Sequence, residues 1–400
     1  MPNTLAYLLN MYPMTSTTFI REEILAHESA GVPVKRFAIR PWDVDLVEPA
    51  DMAEQRATEY ILEAGAARLL GDFARTLVRR PQGVLRAAVM CLRLGLRGRP
   101  VKNLIYFLEA VRFSRRAREE GIDHVHVHFS TNAASVAMLA EMMGGPRFSM
   151  TVHGPDELAE MTKTGMALKA HQARAIAAIS DYCRGVVIKE AGEAVSAKTH
   201  VIRCGIDPEE FVLRDLWVAP ENQRLVCIGR LGEQKQQIVL PEVAAALSGD
   251  YPGLVFTFLG DGEARSAIEA RAVELGVERH FEFRGWAEKA VIKQELATAR
   301  AMILPSRAEG LPVAIMEALA QGCPVVSTRI TGIPELVDES CGWLVPPGDT
   351  PALIEAVRAC LDTDAASLAS MGGEGRARVL AGHDQHENAA ALRRVFNAID

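Results

Sequence analysis

The sequence lacks several features that would assign it to particular protein classes. No stretch reaches the roughly 20 uncharged apolar residues of a membrane-spanning helix. The first residues have no basic cluster, and their apolar run is too short for a secretory signal peptide. Low-complexity tracts and solenoid repeats are also missing. We therefore expect a globular protein that stays in the cytoplasm.

Excess positive charge and paired cysteines are missing as well. The formal net charge is −7 at pH 7, whereas duplex binding needs a basic face, so we expect no nucleic-acid partner. The seven cysteines are odd in number and scattered, without a C-x-x-C pair, which favours neither a zinc site nor a disulfide framework. Reduced, mostly buried thiols are the expectation.

What is present predicts two α/β domains. A chain of 400 residues, 49% hydrophobic and 24% charged, is longer than one hydrophobic core usually serves. Short apolar runs alternate with helical stretches, which is typical of doubly wound parallel sheets in Rossmann-like domains. The predicted strands are 4–9, 34–39, 124–129, 148–153, 175–179 and 199–203, then 224–228, 255–259, 281–284, 301–304, 324–327 and 342–345.

The alternation breaks at 205–223, a polar, proline-containing segment. We therefore predict an N-terminal domain at 1–205 and a C-terminal domain at 206–375, with a final helix within 376–400 that packs back toward the first domain. Ligands of doubly wound sheets bind beyond the carboxyl ends of the strands, so two such sheets facing each other predict a central cleft.

A helical segment at 62–118 fits neither series and is rich in arginine. Within it, apolar residues recur at helical spacing, with Arg86, Arg93 and Arg97 at the edges. One interpretation packs this apolar stripe on neighbouring helices and leaves the arginines solvated. The other docks the helix on an anionic membrane surface. The stripe consists of Val84, Leu85, Ala88, Val89, Leu92 and Leu96.

The stretch 305–320, PSRAEGLPVAIMEALA, follows a predicted strand and opens a helix. Pro312 suits the first helical turn, and the amides around Gly310, Leu311 and Val313 would point outward at the positive end of the helix dipole. Such a helix start is an anion site of the kind that holds phosphate.

Two carboxylates accompany that predicted anion site. Glu309 and Glu317 can accept hydrogen bonds from hydroxyls, although such a pair alone is more typical of a solvated helix face. Gly229, Arg230 and Lys235 follow the first strand of the second domain, and two cations there could neutralise a departing diphosphate.

In order along the chain, these motifs resemble retaining glycosyltransferases of family 4, which have the GT-B fold. The resemblance rests on Gly229-Arg230-Leu231 with Lys235, Gly260-Asp261-Gly262, the Glu-x7-Glu pair Glu309 and Glu317, Gly322-Cys323-Pro324 and Gly332-Ile333-Pro334-Glu335. It implies that Arg230 and Lys235 bind the donor diphosphate, with Gly229 beside them. It also implies that Glu317 binds the ribose, that Glu309 lies against the donor sugar, and that Ile333 contributes an amide. Arg284 would lie near the base, beside Trp286, which we interpret as a packing residue.

The first half adds His153, in the context Thr151-Val152-His153-Gly154-Pro155-Asp156. The resemblance implies that this histidine contacts the donor sugar. Asn10–Ile20 stands where many members have a Gly-Gly loop, and it is similar to the opening of exopolysaccharide and colanic-acid-type transferases. There, Ser16 and Thr17 would replace the glycine contacts.

Three alternating histidines, His124, His126 and His128, suggest a zinc site. No cysteine or carboxylate cluster accompanies them in the sequence, so we favour buried, hydrogen-bonded histidines. The resemblance places His126 and His128 on the acceptor side.

The resemblance implies a metal-independent, retaining hexosyltransferase that needs no cofactor. It would move a sugar from a UDP-sugar, or alternatively a GDP-sugar, to a saccharide or lipid-linked acceptor in exopolysaccharide or glycoconjugate synthesis. A sugar-nucleotide epimerase, a phosphorylase and a non-catalytic GT-B scaffold subunit are the alternatives. The Glu-x7-Glu and Gly-Arg-Leu motifs argue against the first two, and retention of Lys235 and Glu309 argues against the third.

Overall fold

The computed structural model describes residues 5–14, 17–43, 46, 48–214 and 221–398. They form two compact units. The first contains the chain up to Arg203 together with the residues from His386, and the second runs from Cys204 to Gln385. The chain thus leaves the first unit once and returns to it near its end.

The first unit contains a seven-stranded parallel sheet in the order β3-β2-β1-β4-β5-β6-β7. Its strands are β1 Leu5–Met11, β2 Val34–Arg40, β3 Thr58–Tyr60, β4 His124–His128, β5 Arg147–Val152, β6 Ile176–Ala178 and β7 Thr199–Val201. Its helices are α1 Thr18–Ser29, α2 Pro49–Ala57, α3 Ala66–Arg79, α4 Pro81–Gly95, α5 Pro100–Glu119, α6 Asn132–Met142, α7 Asp156–Ala159, α8 Met161–Thr164, α9 Met166–Gln172 and α10 Asp181–Ala191, and α18 Gln385–Ala398 joins them.

The second unit contains a six-stranded parallel sheet in the order β10-β9-β8-β11-β12-β13. Its strands are β8 Arg224–Ile228, β9 Val255–Leu259, β10 Phe281–Phe283, β11 Ala301–Leu304, β12 Val325–Thr328 and β13 Gly342–Val345. Its helices are α11 Leu240–Leu247, α12 Arg265–Glu274, α13 Lys289–Thr298, α14 Val313–Ala320, α15 Ile333–Leu336, α16 Thr350–Asp362 and α17 Ala365–Gly382.

Each sheet has a point at which its strand order reverses. In the first unit the chain adds β2 and β3 on one side of β1, then returns to place β4 on the other side. In the second unit β8 and β11 are related in the same way. These two reversals are where doubly wound sheets bind ligands. The predicted pair of Rossmann-like α/β sheets is therefore confirmed, with one added strand, β3, in the first sheet.

The arginine-rich segment folds as the three helices α3, α4 and α5. Helix α4 buries Gly83, Val84, Ala87 and Leu94, while Leu85, Ala88, Val89, Leu92 and Leu96 of the predicted stripe are exposed. Packing of that stripe on neighbouring helices is thus wrong for all its members except Val84. In the described part of the chain, no helix is both long enough and apolar enough to cross a membrane.

Candidate active site

In the second unit, the predicted site residues gather where β8 and β11 leave the sheet. The backbone after β8 reaches Lys235 in a short 3-10 turn, and the backbone after β11 reaches Glu309. Because β8 and β11 are adjacent and parallel, both segments leave the sheet at the same edge. The fold therefore brings a cation and a carboxylate together from positions 74 residues apart.

Lys235 and Glu309 form an ion pair. Lys235 Nζ donates to Glu309 Oε1 at 2.6 Å, and the hydroxyl of Ser306 donates to the same oxygen at 2.7 Å. The lysine side chain is 24% exposed and the glutamate 10%. The Lys235 side chain is therefore accessible to a ligand, and the ion pair with Glu309 fixes the position of its ammonium group.

The loop after β12 is hydrogen-bonded to the backbone that carries Glu309. The Thr331 hydroxyl donates to Glu309 O at 2.6 Å and lies 3.0 Å from Gly310 O, and the Gly332 amide donates to Gly310 O at 3.2 Å. Thr331 has a positive φ of 46°, a conformation that L-residues rarely adopt. Ile333 follows directly, but its amide already donates to Ile330 O at 3.0 Å. Its predicted contact with a ligand would require that bond to be shared or broken.

Two glycines let the loops after β8 and β9 approach closely. A Cβ atom at Gly260 would lie 2.1 Å from Gly229 O, and one at Gly262 would lie 2.3 Å from Leu231 O. Larger residues cannot fit there without moving the backbone. Arg230 extends from this contact into solvent, where its guanidinium binds Glu263 at 3.0 Å.

Helix α14 begins one residue later than its proline suggests. Pro312 is the N-cap residue, in an extended conformation, and Val313 is the first helical residue. Pro312 O accepts from the amides of Ile315 and Met316. The amides of Val313 and Ala314 precede these first helical bonds and carry the positive end of the helix dipole. Leu311 is buried just before this turn, and Glu317 is half-buried on the same helix.

Arg284 lies after β10, on the far side of β9 from β8. Its guanidinium donates to Glu282 at 2.9 Å, and the Gly285 carbonyl accepts from Gly260 at 2.7 Å. Trp286 remains 40% exposed, so its interpretation as a packing residue accounts for only part of its surface.

In the first unit, His153 follows β5 and is buried. Its ring Nε2 lies 2.8 Å from Nδ1 of His128, and its backbone amide donates to the Glu157 carboxylate. That carboxylate also accepts from Gly154 at 3.0 Å and from Ser130 at 2.5 Å. Burial lowers the pKa of His153 well below 6.5, and nearby His128 adds to the effect, so the imidazole is neutral at pH 7.

A series of hydrogen bonds between buried and half-buried side chains leads away from His153. His128 Nε2 lies 3.1 Å from Glu23 Oε1, the Tyr7 hydroxyl donates to that same oxygen, and His27 Nε2 lies 3.0 Å from the Tyr7 hydroxyl. Burial raises the pKa of Glu23, but His128, His126 and His27 together outweigh this effect and bring the pKa below its usual range, so the carboxylate is an acceptor. Two elements remote in sequence thus orient His128 and, through it, His153.

The alternating histidines are hydrogen-bonded and buried, as favoured from the sequence. The Ser149 hydroxyl contacts His124 and His126 at 2.8 Å each, and Thr151 contacts the other nitrogen of His126 at 2.8 Å. Ligand atoms of Glu23, His126 and His128 do lie within 4.8 Å of one another. Since hydroxyls contact both nitrogens of His126, hydrogen bonding accounts for this cluster.

At the start of the chain, Thr17 is described and Ser16 lies outside the described residues. Thr17 is buried before α1, and its hydroxyl donates to Met14 O at 3.2 Å. Two residues later, the Phe19 ring lies 4.9 Å from that of His153, which brings the start of α1 to this site.

Two family models match this chain. Residues 36–210 match the model described as Glycosyltransferase Family 4, and residues 222–363 match the one described as Glycosyl transferases group 1. The chain thus contains a glycosyltransferase family 4 domain followed by a glycosyl transferases group 1 domain. Each match spans most of one parallel sheet, and the second contains the Lys235–Glu309 pair.

Relatives and solved structures agree with that assignment. The transferase is 27% identical over 400 residues to AmsK, the amylovoran biosynthesis glycosyltransferase of Erwinia amylovora, covering 96% of each chain. It is 28% identical over 393 residues to WcaL of Escherichia coli K12, a protein named for colanic acid biosynthesis, covering 93% of this chain and 94% of WcaL. The crystal structure of Anabaena Alr3699/HepE with UDP and glucose has the same fold, at a TM-score of 0.74 and 17% identity over 99% of this chain and 100% of that one.

Sequence reasoning missed several polar residues of the transferase. Glu157 and Lys169 are buried, Glu23 is half-buried, and all three are hydrogen-bonded around the carboxyl ends of β4 and β5. Burial lowers the pKa of Lys169 to about 7. No local motif marks these residues. Glu23 and Lys169 gain their partners through long-range folding, and Glu157 joins the nearby amides of His153 and Gly154 to the distant amide of Ser130.

Proposed function

We propose that this transferase moves a sugar from a nucleotide diphosphate to a saccharide or lipid-linked acceptor with retention of configuration and without a metal ion. The observation that carries the proposal is the Lys235–Glu309 pair beside the start of α14. The ammonium group and the amides at the start of α14 suit a diphosphate, and carboxylates suit sugar hydroxyls. Arg230, exposed on the same loop after β8 as Lys235, would add a second cation.

In the proposed reaction, the bond between the anomeric carbon and the diphosphate breaks and the diphosphate takes its electron pair. The acceptor hydroxyl bonds to the same face of that carbon and gives its proton to a departing phosphate oxygen. Lys235, Arg230 and the amides near Val313 stabilise the leaving charge, which is the main electrostatic requirement. Glu309 would lie against the sugar, Glu317 would bind the ribose, and Arg284 would approach the base.

His153 has a supporting role in this proposal. It would contact the donor sugar, and its link to His128 and Glu23 would hold the ring in one orientation. A fixed orientation of the His153 ring matters because a group that contacts the reacting sugar is effective only at the correct distance and angle. Thr17 is proposed to assist at the donor, as is Ser16.

The donor is proposed to be a UDP-sugar, with a GDP-sugar as the alternative. HepE, which shares the fold, binds UDP and glucose in its crystal structure. The acceptor is proposed to belong to exopolysaccharide or glycoconjugate synthesis, because AmsK and WcaL carry names from such pathways.

An anionic membrane surface is the proposed partner of the α3–α5 region. Leu85 and Leu92 of α4 and its C-cap residue Leu96 are 66%, 65% and 80% exposed, on the side opposite the buried face of the helix. Between Asp72 and Glu109 the sequence has eight arginines and lysines and no acidic residue. A groove of about 670 Å³ beside α3 is lined by Arg75, Arg79, Arg80, Arg115 and Arg118, with Thr76 and Glu119. Apolar side chains among cations that outnumber the nearby carboxylates suit an anionic bilayer surface.

Thermal-shift measurements with UDP, GDP and their hexose conjugates test the donor proposal. A ligand at 100 times its dissociation constant stabilises the native state by about 2.7 kcal/mol. We expect a shift with one nucleotide class in the presence of EDTA, and a reduced shift for Lys235→Ala. A shift that requires Mn²⁺ would contradict metal independence, and equal shifts in wild type and variant would contradict the site.

A further inference from the structure

A second polar cavity lies in the first unit, where its strand order reverses. It has a volume of about 550 Å³. Asn10, at the end of β1, and Thr131 and Asn132, just after β4, line it at the carboxyl ends of the strands, and α5 contributes Tyr106 and Glu109. This is the position at which doubly wound sheets bind ligands. None of these residues belongs to the proposed donor site.

Glu109 is the least satisfied polar group of this cavity. It is only 3% exposed, and its Oε2 atom has no hydrogen-bond partner within the described parts of the chain. Burial raises its pKa to about 7, although nearby Arg40 acts against the increase. Buried carboxylate oxygens are rarely left without a donor, because desolvation makes this costly. A hydroxyl group bound in the cavity would supply that donor.

Amide groups line the same cavity as the Glu109 carboxylate. The side chains of Asn10 and Asn132 are hydrogen-bonded to each other, and Asn132 also accepts from the Ala133 amide at 3.0 Å. Each side-chain amide offers both donors and an acceptor, and Tyr106 adds a half-buried phenol. Such a mixture of convergent polar groups suits a polyhydroxylated ligand better than an apolar one.

Positive charge dominates the mouth of the cavity. Arg40 and Lys102 are exposed, and neither forms an ion pair with any residue that the structure describes. Arg99 differs, because Glu160 pairs with it. Two uncompensated cations therefore face a ligand that enters.

We propose that this cavity binds one sugar unit of the acceptor, with its hydroxyls on Glu109 and Asn10 and an acidic substituent against Arg40 and Lys102. This inference rests on the proposed function, since it assumes a saccharide acceptor. The acidic group can be a carboxylate, as in a uronic acid, or a phosphate ester. Both accept charge-assisted hydrogen bonds from Arg and Lys.

Ligand-observed NMR titration with three sugars of the same ring tests the inference. The probes are glucuronate, glucose 6-phosphate and glucose, added to the full-length protein and to Lys235→Ala, which weakens the proposed donor site. We expect both proteins to bind at least one anionic sugar roughly tenfold more tightly than glucose, about 1.4 kcal/mol. The better of the two anionic sugars identifies the acidic group.

Two variants and a matched control locate the binding. Glu109→Gln should weaken all three sugars, while Arg40→Gln with Lys102→Gln should reduce the anionic sugars to the affinity of glucose. Arg86→Gln with Arg93→Gln removes the same charge from exposed positions outside the cavity and should change nothing. Far-UV circular dichroism spectra equal to that of the wild type show that each variant is folded.

Equal affinities for all three sugars, or an equal loss in the control, would overturn the cavity assignment. The donor-site proposal and the cavity proposal can also be refuted independently of each other. If the sugars bind as expected while no nucleotide binds, the donor site is wrong and the cavity stands. If nucleotides bind as expected while Glu109→Gln and wild type bind sugars alike, only the cavity is wrong.

Discussion

The Lys235–Glu309 pair shows how single charged residues are fixed in position at the edge of an otherwise apolar sheet. The lysine follows one strand, the glutamate follows its neighbour, and Ser306 supports the shared oxygen. Removing either partner leaves the other in a mostly buried place with its charge uncompensated. The pair therefore bears on both stability and binding.

Replacing Lys235 with alanine tests its part in catalysis. We expect turnover to fall by at least ~10²-fold, about 2.7 kcal/mol, because one cation next to the leaving diphosphate is lost. Arg230→Ala should act in the same direction. Steady-state kinetics at saturating donor measure the loss, and Lys189→Ala, an exposed lysine of the first unit, is the control. Near-normal turnover in both site variants would refute the phosphate assignment.

Glu109 gives a prediction for stability against pH. Because its pKa rises from 4.5 to about 7, the folded protein holds a proton between these values that the unfolded chain has released. Stability contributed by this group therefore falls as pH rises from about 4.5 to 7, by an amount on the order of 3 kcal/mol.

Urea unfolding of wild type and Glu109→Gln between pH 5 and 8 measures this contribution. The difference in unfolding free energy should move in favour of the glutamine variant as pH increases. Glu63→Gln, at an exposed position of the same unit, should follow wild type throughout. Parallel curves for wild type and Glu109→Gln would mean that the carboxyl group titrates normally.

At the scale of elements, helix α4 gives a prediction about membranes. With Arg86, Arg93 and Arg97 changed to Glu, binding to anionic vesicles should fall by roughly 10² or more, since each cation near a lipid surface contributes about 1 kcal/mol. Co-sedimentation at low and high salt, with neutral vesicles for comparison, measures it. Arg56→Glu with Lys189→Glu and Arg394→Glu reverses the same number of exposed charges elsewhere in the first unit. Equal binding by both triple variants would exclude a specific role for α4.

The sequence pattern predicts the existence of helix α4 but not which of its sides is buried. Its existence follows from periodicity, but the pattern favours its large apolar residues as the buried side. The structure buries a side built on Gly83 and Ala87 instead, because a Cβ at Gly83 would lie 2.8 Å from Met142 O. Close approach to α6 selects small residues, and a hydrophobicity pattern cannot detect that preference.

Some strands and site residues can be recognised from the sequence alone, and others cannot. Long apolar runs such as β1 are recognisable alone, whereas the three residues of β3 gain their identity only by pairing with β2. Lys235 and Glu309 lie in recognisable motifs. Glu109 and Glu23 do not, since their significance comes from burial and from partners as far as 105 residues away.

At the scale of the molecule, the carboxyl-terminal helix α18 is part of the first unit. The Phe396 ring lies 5.0 Å from that of His124 and 5.2 Å from that of His126, and Leu392 is buried in the same cluster. Arg393 donates to His27 Nδ1 at 3.1 Å and so reaches the chain of hydrogen bonds that leads to His153. Helix α18 therefore packs against side chains of β4 and is hydrogen-bonded to His27 of α1.

Shortening Phe396 to alanine should destabilise the first unit by about 3–5 kcal/mol, the usual loss for a buried phenylalanine. Chemical denaturation followed separately in each unit should show an earlier transition in the first unit only. Asn397→Ala, next to it and exposed, is the control. An unchanged first transition would mean that α18 is dispensable for that fold.

The return of the chain to the first unit also sets an order in time. A ribosome makes the strands β1 to β7, then the whole of the second unit, and only then α18. At 5–20 residues per second, the first sheet waits roughly 10–40 s without Leu392 and Phe396. During that interval the second unit already has its whole sequence, from Cys204 to Gln385, and can close its own core. The unit begun first is thus completed last, because its core cluster lacks Leu392 and Phe396 until α18 has been made.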